Sequence, residues 1–239
     1  MAIVKNVPFL IWFYGFLRTI KPIKINIRKH REAGDHEKER TEILKAENAW
    51  GRALVKRAGI TLNIKSAEAL PEGPVVFISN HQSYWDIPVC FAAITEKPFG
   101  FVAKESLRKI PVFGSWIEDI RSVFIKRDDA RASLKAIEEG IELLKQGFSL
   151  VVFPEGTRSK GSEIKEFKKG SLRLAIKAEV PVVPITIYGT FRAYEEKGYV
   201  RPAEIDIIIH PAIDTRGMAR KEAAELPERV EGIIRSAMP

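Results

Sequence analysis

The sequence predicts an α/β fold: a single, largely parallel or mixed sheet flanked by helices and preceded by an N-terminal helical pair. Two observations support the sheet. Short apolar runs of strand length alternate with helical patterns from about residue 60 onward. The runs are apolar throughout, which is typical of strands buried on both faces. The chain has no internal repeat and no low-complexity linker, so we expect this part to form one domain.

The predicted elements follow from these patterns in order. The clearest helix covers residues 131–146, and Gly147 provides its stop signal. Its apolar stripe consists of Leu134, Ile137, Ile141 and Leu144. Two further helices are predicted at residues 171–178 and 221–237. The predicted strands are residues 60–64, 75–78, 99–103, 123–125, 150–153, 182–188 and 205–209.

Composition limits the class of protein. A chain of 239 residues with 45% hydrophobic and 29% charged residues can bury a large core. The lone cysteine, Cys90, lies in an apolar run, which excludes a disulfide framework and a thiolate metal cluster and fits a reducing, cytoplasm-facing location. The net charge of +8 favours anionic partners such as lipid head groups, nucleotides, acidic proteins or nucleic acid, without choosing among them.

Residues 7–17 are uncharged and apolar on every side. A buried helix and a membrane-inserted helix share this pattern, but the segment is shorter than the ~20 residues needed to span a bilayer. Basic residues bracket the segment: Lys5, Arg18, Lys21, Lys24, Arg28, Lys29 and Arg31. A monotopic segment on the cytoplasmic face of a membrane explains both features. A core helix is the alternative, and a signal peptide is disfavoured because no small-residue cleavage site follows.

A second amphipathic helix is predicted at residues 35–56, where apolar residues recur at helical spacing before Gly59. The two segments would form an antiparallel, membrane-associating pair within residues 1–58, ahead of an α/β domain at 59–239. A solvated surface helix is the alternative for the second segment.

A histidine and a carboxylate five residues apart, His81 and Asp86, follow the predicted strand 75–78. Such strand-to-helix turns are where α/β folds place their chemistry. Imidazole is a natural general base for a hydroxyl, and a carboxylate on its other nitrogen would fix the tautomer. On one helix the two side chains would point about 140° apart, so they meet only if His81 precedes the helix. The alternative is a capping box, Ser83-x-x-Asp86, with a structural Asp86.

A second polar stretch, F-P-E-G-T-R-S at residues 153–159, also follows a predicted strand. With the histidine stretch it resembles the glycerophospholipid acyltransferase family, specifically the bacterial 1-acylglycerol-3-phosphate acyltransferases. Four ordered blocks between residues 75 and 190 carry the resemblance: N-H-x-x-x-x-D at 80–86, a hydrophobic-Ile-x-Arg run at 123–127, F-P-E-G-T-R-S at 153–159, and Val-Pro-Val-Val-Pro at 180–184. Arg121 stands where the second block usually has glycine, which leaves that turn geometry open.

The resemblance implies transfer of a fatty acyl group from a thioester to the sn-2 hydroxyl of 1-acylglycerol 3-phosphate (lysophosphatidic acid), which makes phosphatidic acid. His81 would take the hydroxyl proton, and Asp86 would hold the imidazole. The lipid hydroxyl is the nucleophile, so the lack of a G-x-S-x-G motif agrees. Acyl-CoA or an acylated acyl carrier protein would be the co-substrate, with no other cofactor and no metal. Residues 88–94 and 110–117 could wall an acyl groove, or could equally be core.

The phosphate of the acceptor requires fixed cations, and arginine matches phosphate oxygens bidentately. Arg127 and Arg158 follow predicted strands and are supported by the resemblance, and Lys104, at another strand end, is a third candidate. Gly156 would let the backbone approach a ligand closely. Glu155 is implied to shape the acceptor site by bonding a glycerol hydroxyl or Arg158. A surface salt bridge is the alternative for each cation alone.

Other functions fit less well. A metal-dependent hydrolase could use His81, Asp86, Glu155 and His210, but no ligand spacing such as H-E-x-x-H is present. Nucleic-acid binding is disfavoured because the basic residues are scattered and no aromatic-basic recognition motif is present. Nucleotide phosphoryl transfer is disfavoured because residues 168–171 lack the upstream glycine spacing of a P-loop. Within the family, glycerol 3-phosphate or another lysophospholipid is the alternative acceptor. The expected location is the cytoplasmic (inner) membrane, peripheral or monotopic.

Overall fold

A computed structural model of the protein describes residues 2–126, 129–168 and 170–239. Within these residues, seven strands form one sheet: β1 (Thr61–Ser66), β2 (Val76–Ser79), β3 (Phe99–Lys104), β4 (Val123–Ile125), β5 (Ser149–Val152), β6 (Val182–Tyr188) and β7 (Glu204–Ile209). Their spatial order is β1-β7-β6-β2-β5-β3-β4, and β6 with β7 is the antiparallel pair. The predicted single, mixed α/β sheet is confirmed, and every predicted strand is present with small shifts at its ends.

Helices cover both faces of this sheet. In the described residues they are α1 (Ala2–Thr19), α2 (Lys21–Glu32), α3 (His36–Ala58), α4 (Asp86–Ala93), α5 (Phe113–Asp119), α6 (Ala130–Lys145), α7 (Arg173–Ala178) and α8 (Arg220–Ser236). The predicted stripe of α6 packs on the core through Ile137, Ile141 and Leu144, whereas Leu134 at the start of the helix is 41% exposed.

The central strand is β2, whose Val76, Phe77 and Ile78 have no exposed surface. It lies parallel to both of its neighbours, β5 and β6, and β3 is parallel to β5. The carboxyl ends of these four strands therefore meet at one edge of the sheet, which we call the C-terminal edge. The segments that follow β2, β5 and β6 are brought together there, although they are far apart in the sequence.

Residues 2–58 form three helices rather than the predicted pair. The helix is interrupted at Ile20, which separates α1 from α2. Pro22 lies in the first turn of α2, where its missing N–H and fixed φ are tolerated. Asp35 caps α3 by accepting from Lys38 N at 3.1 Å. No helix among the described residues combines the length and the apolar character that crossing a membrane requires.

The N-terminal helices share the main core. On α3, Ile43, Trp50 and Leu54 are buried in the same hydrophobic cluster as the sheet. At Gly51, a Cβ would lie 2.6 Å from Ala92 N on α4, so glycine allows these two helices to touch. A separate contact joins α2 to α5, where the buried carboxylate of Asp119 accepts from Arg28 Nε at 2.8 Å.

Arg121 resolves the turn that the sequence left open. Its φ of 60° is in the left-handed region, so the turn keeps the conformation that glycine favours. The strain of a non-glycine residue there is roughly 1–2 kcal/mol. The Arg121 guanidinium binds both oxygens of the fully buried Glu39, at 2.7 and 2.8 Å, and Arg31 bonds Glu39 at 2.8 Å. Burial opposes ionisation of Glu39, but these arginines outweigh it and lower its pKa.

Candidate active site

His81 and Asp86 make the predicted contact at the C-terminal edge. His81 follows β2 and precedes α4, of which Asp86 is the first residue, so the two side chains meet across the turn. His81 Nδ1 lies 2.6 Å from Asp86 Oδ2. Because a carboxylate only accepts hydrogen bonds, Nδ1 carries the proton and Nε2 is left as the basic nitrogen. The histidine side chain is 18% exposed, so it is open to a ligand.

Asp86 is held by more than the histidine. Its Oδ2 also accepts from Gln82 N at 2.7 Å and Ser83 N at 3.0 Å, and its Oδ1 accepts from Thr190 Oγ1 at 2.5 Å. The bond to Ser83 N is half of the capping box that the sequence offered as an alternative. Asp86 therefore fixes the turn and orients the imidazole at the same time.

Glu155 is bonded to the backbone of the histidine loop (residues 80–86). It is 4% exposed, and its two oxygens accept from His81 N at 2.6 Å and from Lys165 N at 2.9 Å. Burial raises its pKa, and the two N–H bonds oppose that shift. Of the two partners that the sequence offered for Glu155, Arg158 pairs with Glu195 instead. A bond from Glu155 to a glycerol hydroxyl stays a prediction.

The arginine loop (residues 153–159) packs directly on the histidine loop. Ser159 N donates to His81 O at 2.8 Å, and the Phe153 ring stacks on the His81 ring with centroids 4.1 Å apart. Gly156 has φ 70°, and a Cβ there would lie 3.0 Å from Lys168 Cε. The positive φ is the backbone reason for glycine at this position, because the flexible Lys168 side chain could move away from a Cβ.

Two of the three predicted cations, Lys104 and Arg158, line one cavity. A cavity of about 350 Å³ is lined by His81, Lys104, Gly156 and Arg158. Arg158 Nη1 is 2.7 Å from Glu195 Oε1, and its guanidinium lies 3.4 Å from the centroid of the Tyr84 ring. Lys104, at the end of β3, is exposed. The predicted Arg127 lies outside the described residues, and its role stays a prediction.

The two segments that the sequence offered as groove walls supply part of the apolar lining of the cavity, and other elements supply the rest, for example Trp50 and Phe101. Phe91 belongs to the first, and Phe113, Trp116 and Ile117 belong to the second. A second cavity of about 390 Å³ lies between α1 and the histidine loop and is almost entirely apolar. It shares Trp50, Tyr84, Ile87, Leu107 and Phe113 with the first cavity, so the two are adjacent.

Sequence reasoning missed the residues after β6. Gly189 N donates to Gln82 Oε1 at 2.9 Å, Thr190 bonds Asp86, and Glu195 bonds the histidine loop. The available signal was positional, because a strand parallel to β2 places its following residues at the same edge. The predicted fourth block ended before them, at residue 184.

His210 is not part of the site. It follows β7, which runs antiparallel to β6, and its backbone N donates to Pro184 O at the opposite end of the sheet. Its ring bonds Thr186 Oγ1 at 2.9 Å. In the described parts of the chain, no three His, Cys, Asp or Glu side chains gather as a set that could hold a metal. The ligand set of the hydrolase alternative is therefore not assembled.

Comparison with known proteins agrees with this geometry. A family model described as Acyltransferase matches residues 61–188, more than half of the chain and all of the histidine and arginine loops. The chain belongs to this acyltransferase family. A 1-acyl-sn-glycerol-3-phosphate acyltransferase from Pseudomonas aeruginosa is 32% identical over 183 residues, which cover 76% of this chain and 70% of the relative.

Two further acyltransferases define the extent of the similarity. The crystal structure of the 1-acyl-sn-glycerophosphate (LPA) acyltransferase PlsC from Thermotoga maritima superposes with a TM-score of 0.77 at 30% identity, covering 100% of this chain and 96% of that one. A 1-acyl-sn-glycerol-3-phosphate acyltransferase from Chlamydomonas reinhardtii is 36% identical over 171 residues, which cover 71% of this chain. The present chain spans about half the length of this algal acyltransferase (50%).

Proposed function

We propose that this acyltransferase moves a fatty acyl group from a thioester to the sn-2 hydroxyl of 1-acylglycerol 3-phosphate, which yields phosphatidic acid. The observation that carries the proposal is one cavity that holds both an Asp-oriented histidine and two cationic side chains, Lys104 and Arg158. The similarity to proteins named 1-acyl-sn-glycerol-3-phosphate acyltransferases supports the acceptor.

The chemical step follows from the tautomer of His81. Nε2 removes the proton from the sn-2 hydroxyl as its oxygen attacks the thioester carbonyl carbon, and Asp86 stabilises the imidazolium that forms. When the tetrahedral intermediate collapses, the C–S bond breaks and the thiolate takes the proton back from His81. The products are the new ester and a free thiol, and the imidazole is neutral again.

The cations account for the acceptor. A phosphomonoester carries nearly two negative charges at neutral pH, and Arg158 can offer it a planar fork of donors. Lys104 lines the same cavity and supplies a second positive charge, and Arg127 is proposed as a third. The apolar walls around Phe91 and Trp116 suit an acyl chain.

The proposed donor is acyl-CoA or an acylated acyl carrier protein, and the proposed location is the cytoplasmic face of the cell membrane. On α1, Val4, Val7, Ile11 and Tyr14 form an outward face that is 44–72% exposed. Arg18 and Lys21 are exposed and line a shallow cavity together with Tyr14 of this face. An exposed apolar face next to basic residues is what a monotopic helix presents to an anionic membrane surface.

The decisive experiment supplies purified protein in detergent with lysophosphatidate, glycerol 3-phosphate or a choline lysophospholipid, each with acyl-CoA and with acylated acyl carrier protein. Formation of phosphatidic acid from lysophosphatidate, with thiol released in equal amount, supports the proposal. If glycerol 3-phosphate were acylated and lysophosphatidate were not, glycerol 3-phosphate would be the acceptor. Thiol release without a new ester would indicate a thioesterase.

A further inference from the structure

Glu195 lies where the histidine loop and the arginine loop meet. Its Oε1 accepts from Arg158 Nη1 at 2.7 Å and from Tyr84 N at 3.1 Å, and its Oε2 accepts from Ser83 Oγ at 2.5 Å. The Glu195 side chain is 4% exposed, and the bonds to Arg158 and Ser83 are partly buried. Glu195 itself comes from the segment after β6, so one carboxylate connects three separate parts of the C-terminal edge.

Arg158 is held from two directions. Its guanidinium lies against the face of Tyr84, and the ring of Tyr84 is packed edge-on against Tyr194 at 6.2 Å. Glu195 bonds Nη1, one of the nitrogens of a group that carries five N–H donors. The other donors have no acceptor within residues 2–126, 129–168 and 170–239, while the side chain lines the cavity. The ion pair thus restrains Arg158 without using up its donors.

We propose that Glu195 is a positioning residue that fixes Arg158 in the orientation that receives the phosphate of the acceptor. This inference rests on the proposed function, which assigns the phosphate to Arg158. A long, unrestrained arginine loses rotamer freedom when a ligand immobilises it, and a restrained arginine does not.

The test is a KM and kcat comparison with lysophosphatidate. For Glu195→Ala we expect a rise in KM of about tenfold, the typical effect of losing one charge-assisted hydrogen bond to an ion, with kcat within about threefold of wild type. Glu195→Gln should restore a KM close to wild type, because the amide oxygen can accept from Arg158 and Tyr84 while the amide nitrogen donates to Ser83 Oγ. Glu196→Ala is the matched control, since Glu196 is exposed and pairs with Arg201 at 3.0 Å.

A second background separates positioning from a general structural role. In combination with Arg158→Ala, the change Glu195→Ala should add no further increase in KM, because the residue that it positions is absent. Loss of kcat in both backgrounds would overturn the inference, since Glu195 would then act through the histidine loop. An unchanged KM in Glu195→Ala, with Arg158→Ala still raising KM, would also overturn it.

Failure of the proposed function gives a different pattern. If wild-type protein makes no phosphatidic acid, or if Arg158→Ala leaves the KM for lysophosphatidate unchanged, the phosphate assignment is wrong before Glu195 is tested. Should Glu195→Ala not fold, as judged by its thermal transition, Glu195→Asp serves the same purpose. The shorter side chain keeps the charge but withdraws it from Arg158, so we expect KM to rise, and an unchanged KM would contradict the inference.

Discussion

The C-terminal edge of the sheet and the outward face of α1 differ in how tightly their side chains are held. At the edge, Asp86 has no exposed surface and four hydrogen-bond donors around its two oxygens. The buried carboxylates of α3 are held less evenly: Glu39 is bonded by Arg31 and Arg121, whereas Glu47, within the part of the chain that the structure describes, accepts only from Phe99 N, at 3.3 and 3.4 Å. On α1, the apolar side chain of Ile11 is 69% exposed.

This difference separates two kinds of requirement. The chemistry at the edge depends on a few atoms within tenths of an ångström, so each polar group there is fixed by several partners. The proposed membrane contact of α1 depends on the amount of apolar surface, so no single side chain has to be fixed. Substitutions should therefore act abruptly at the edge and gradually on the outward face of α1.

The largest effect is expected at the dyad. Asp86→Asn and His81→Ala should each lower kcat by about 10³–10⁴-fold, because the first disturbs the tautomer and the second removes the base. Initial rates with lysophosphatidate measure this. Asp214→Asn, at an exposed aspartate paired with Arg216, should leave kcat unchanged. If Asp86→Asn retained a tenth of the wild-type kcat, Asp86 would be a capping residue only.

The contact between the N-terminal helices and the turn before β4 should show the largest effect on stability. Glu39→Gln leaves Arg31 and Arg121 without their shared carboxylate, and loss of one partner of such a pair typically costs 3–5 kcal/mol, so we expect a loss of about 3 kcal/mol in the free energy of unfolding. Urea denaturation measures it, with Glu37→Gln at an exposed position of α3 as the control.

The stabilisation by Glu39 and its two arginines should depend on pH. Because the pKa of Glu39 is lowered in the folded protein, its stabilisation is present above the unfolded pKa and is lost as the pH falls through the folded pKa. The deficit of Glu39→Gln should therefore shrink in acid. A deficit that is constant down to about pH 3 would show that packing rather than charge is responsible.

The outward face of α1 should respond gradually. The double change Val7→Asn and Ile11→Asn removes apolar surface worth about 1.5–3 kcal/mol per side chain when fully buried, so we expect binding to anionic vesicles to fall by at least about tenfold. Sedimentation with vesicles measures it. Leu134→Asn, at a 41% exposed position of α6, is the matched control. Undiminished binding by the double variant would place the membrane contact elsewhere.

The smallest effect is expected at Glu47. Burial raises its pKa well above the ordinary value, and the Phe99 N–H opposes that only in part. The unfolded chain therefore releases its proton first, and stability falls as the pH rises above the unfolded pKa. Glu47→Gln should raise the melting temperature at about pH 9 by a few degrees, and less at about pH 5. If the difference in melting temperature between Glu47→Gln and wild type grew toward acid pH, the prediction would be contradicted.

The success of sequence reasoning depended on distance along the chain. His81 and Asp86 are five residues apart on either side of one turn, so local patterns placed them together. Glu195 is 112 residues from Ser83 and lies after a short 3₁₀ helix (Thr190–Ala193), where no periodicity marks it. The helix α2 was missed because basic residues dominate it and Ile27 is its one fully buried side chain.

The exchange of glycine for arginine at position 121 links two positions that are 82 residues apart. Reverting Arg121 to glycine relieves the backbone but leaves Glu39 with one arginine fewer, and changing Glu39 first leaves a strained turn with no compensation. Neither single step is neutral, so the two sites restrict each other's evolutionary paths. Members of the family with glycine at this turn should rarely carry an acid at the position of Glu39.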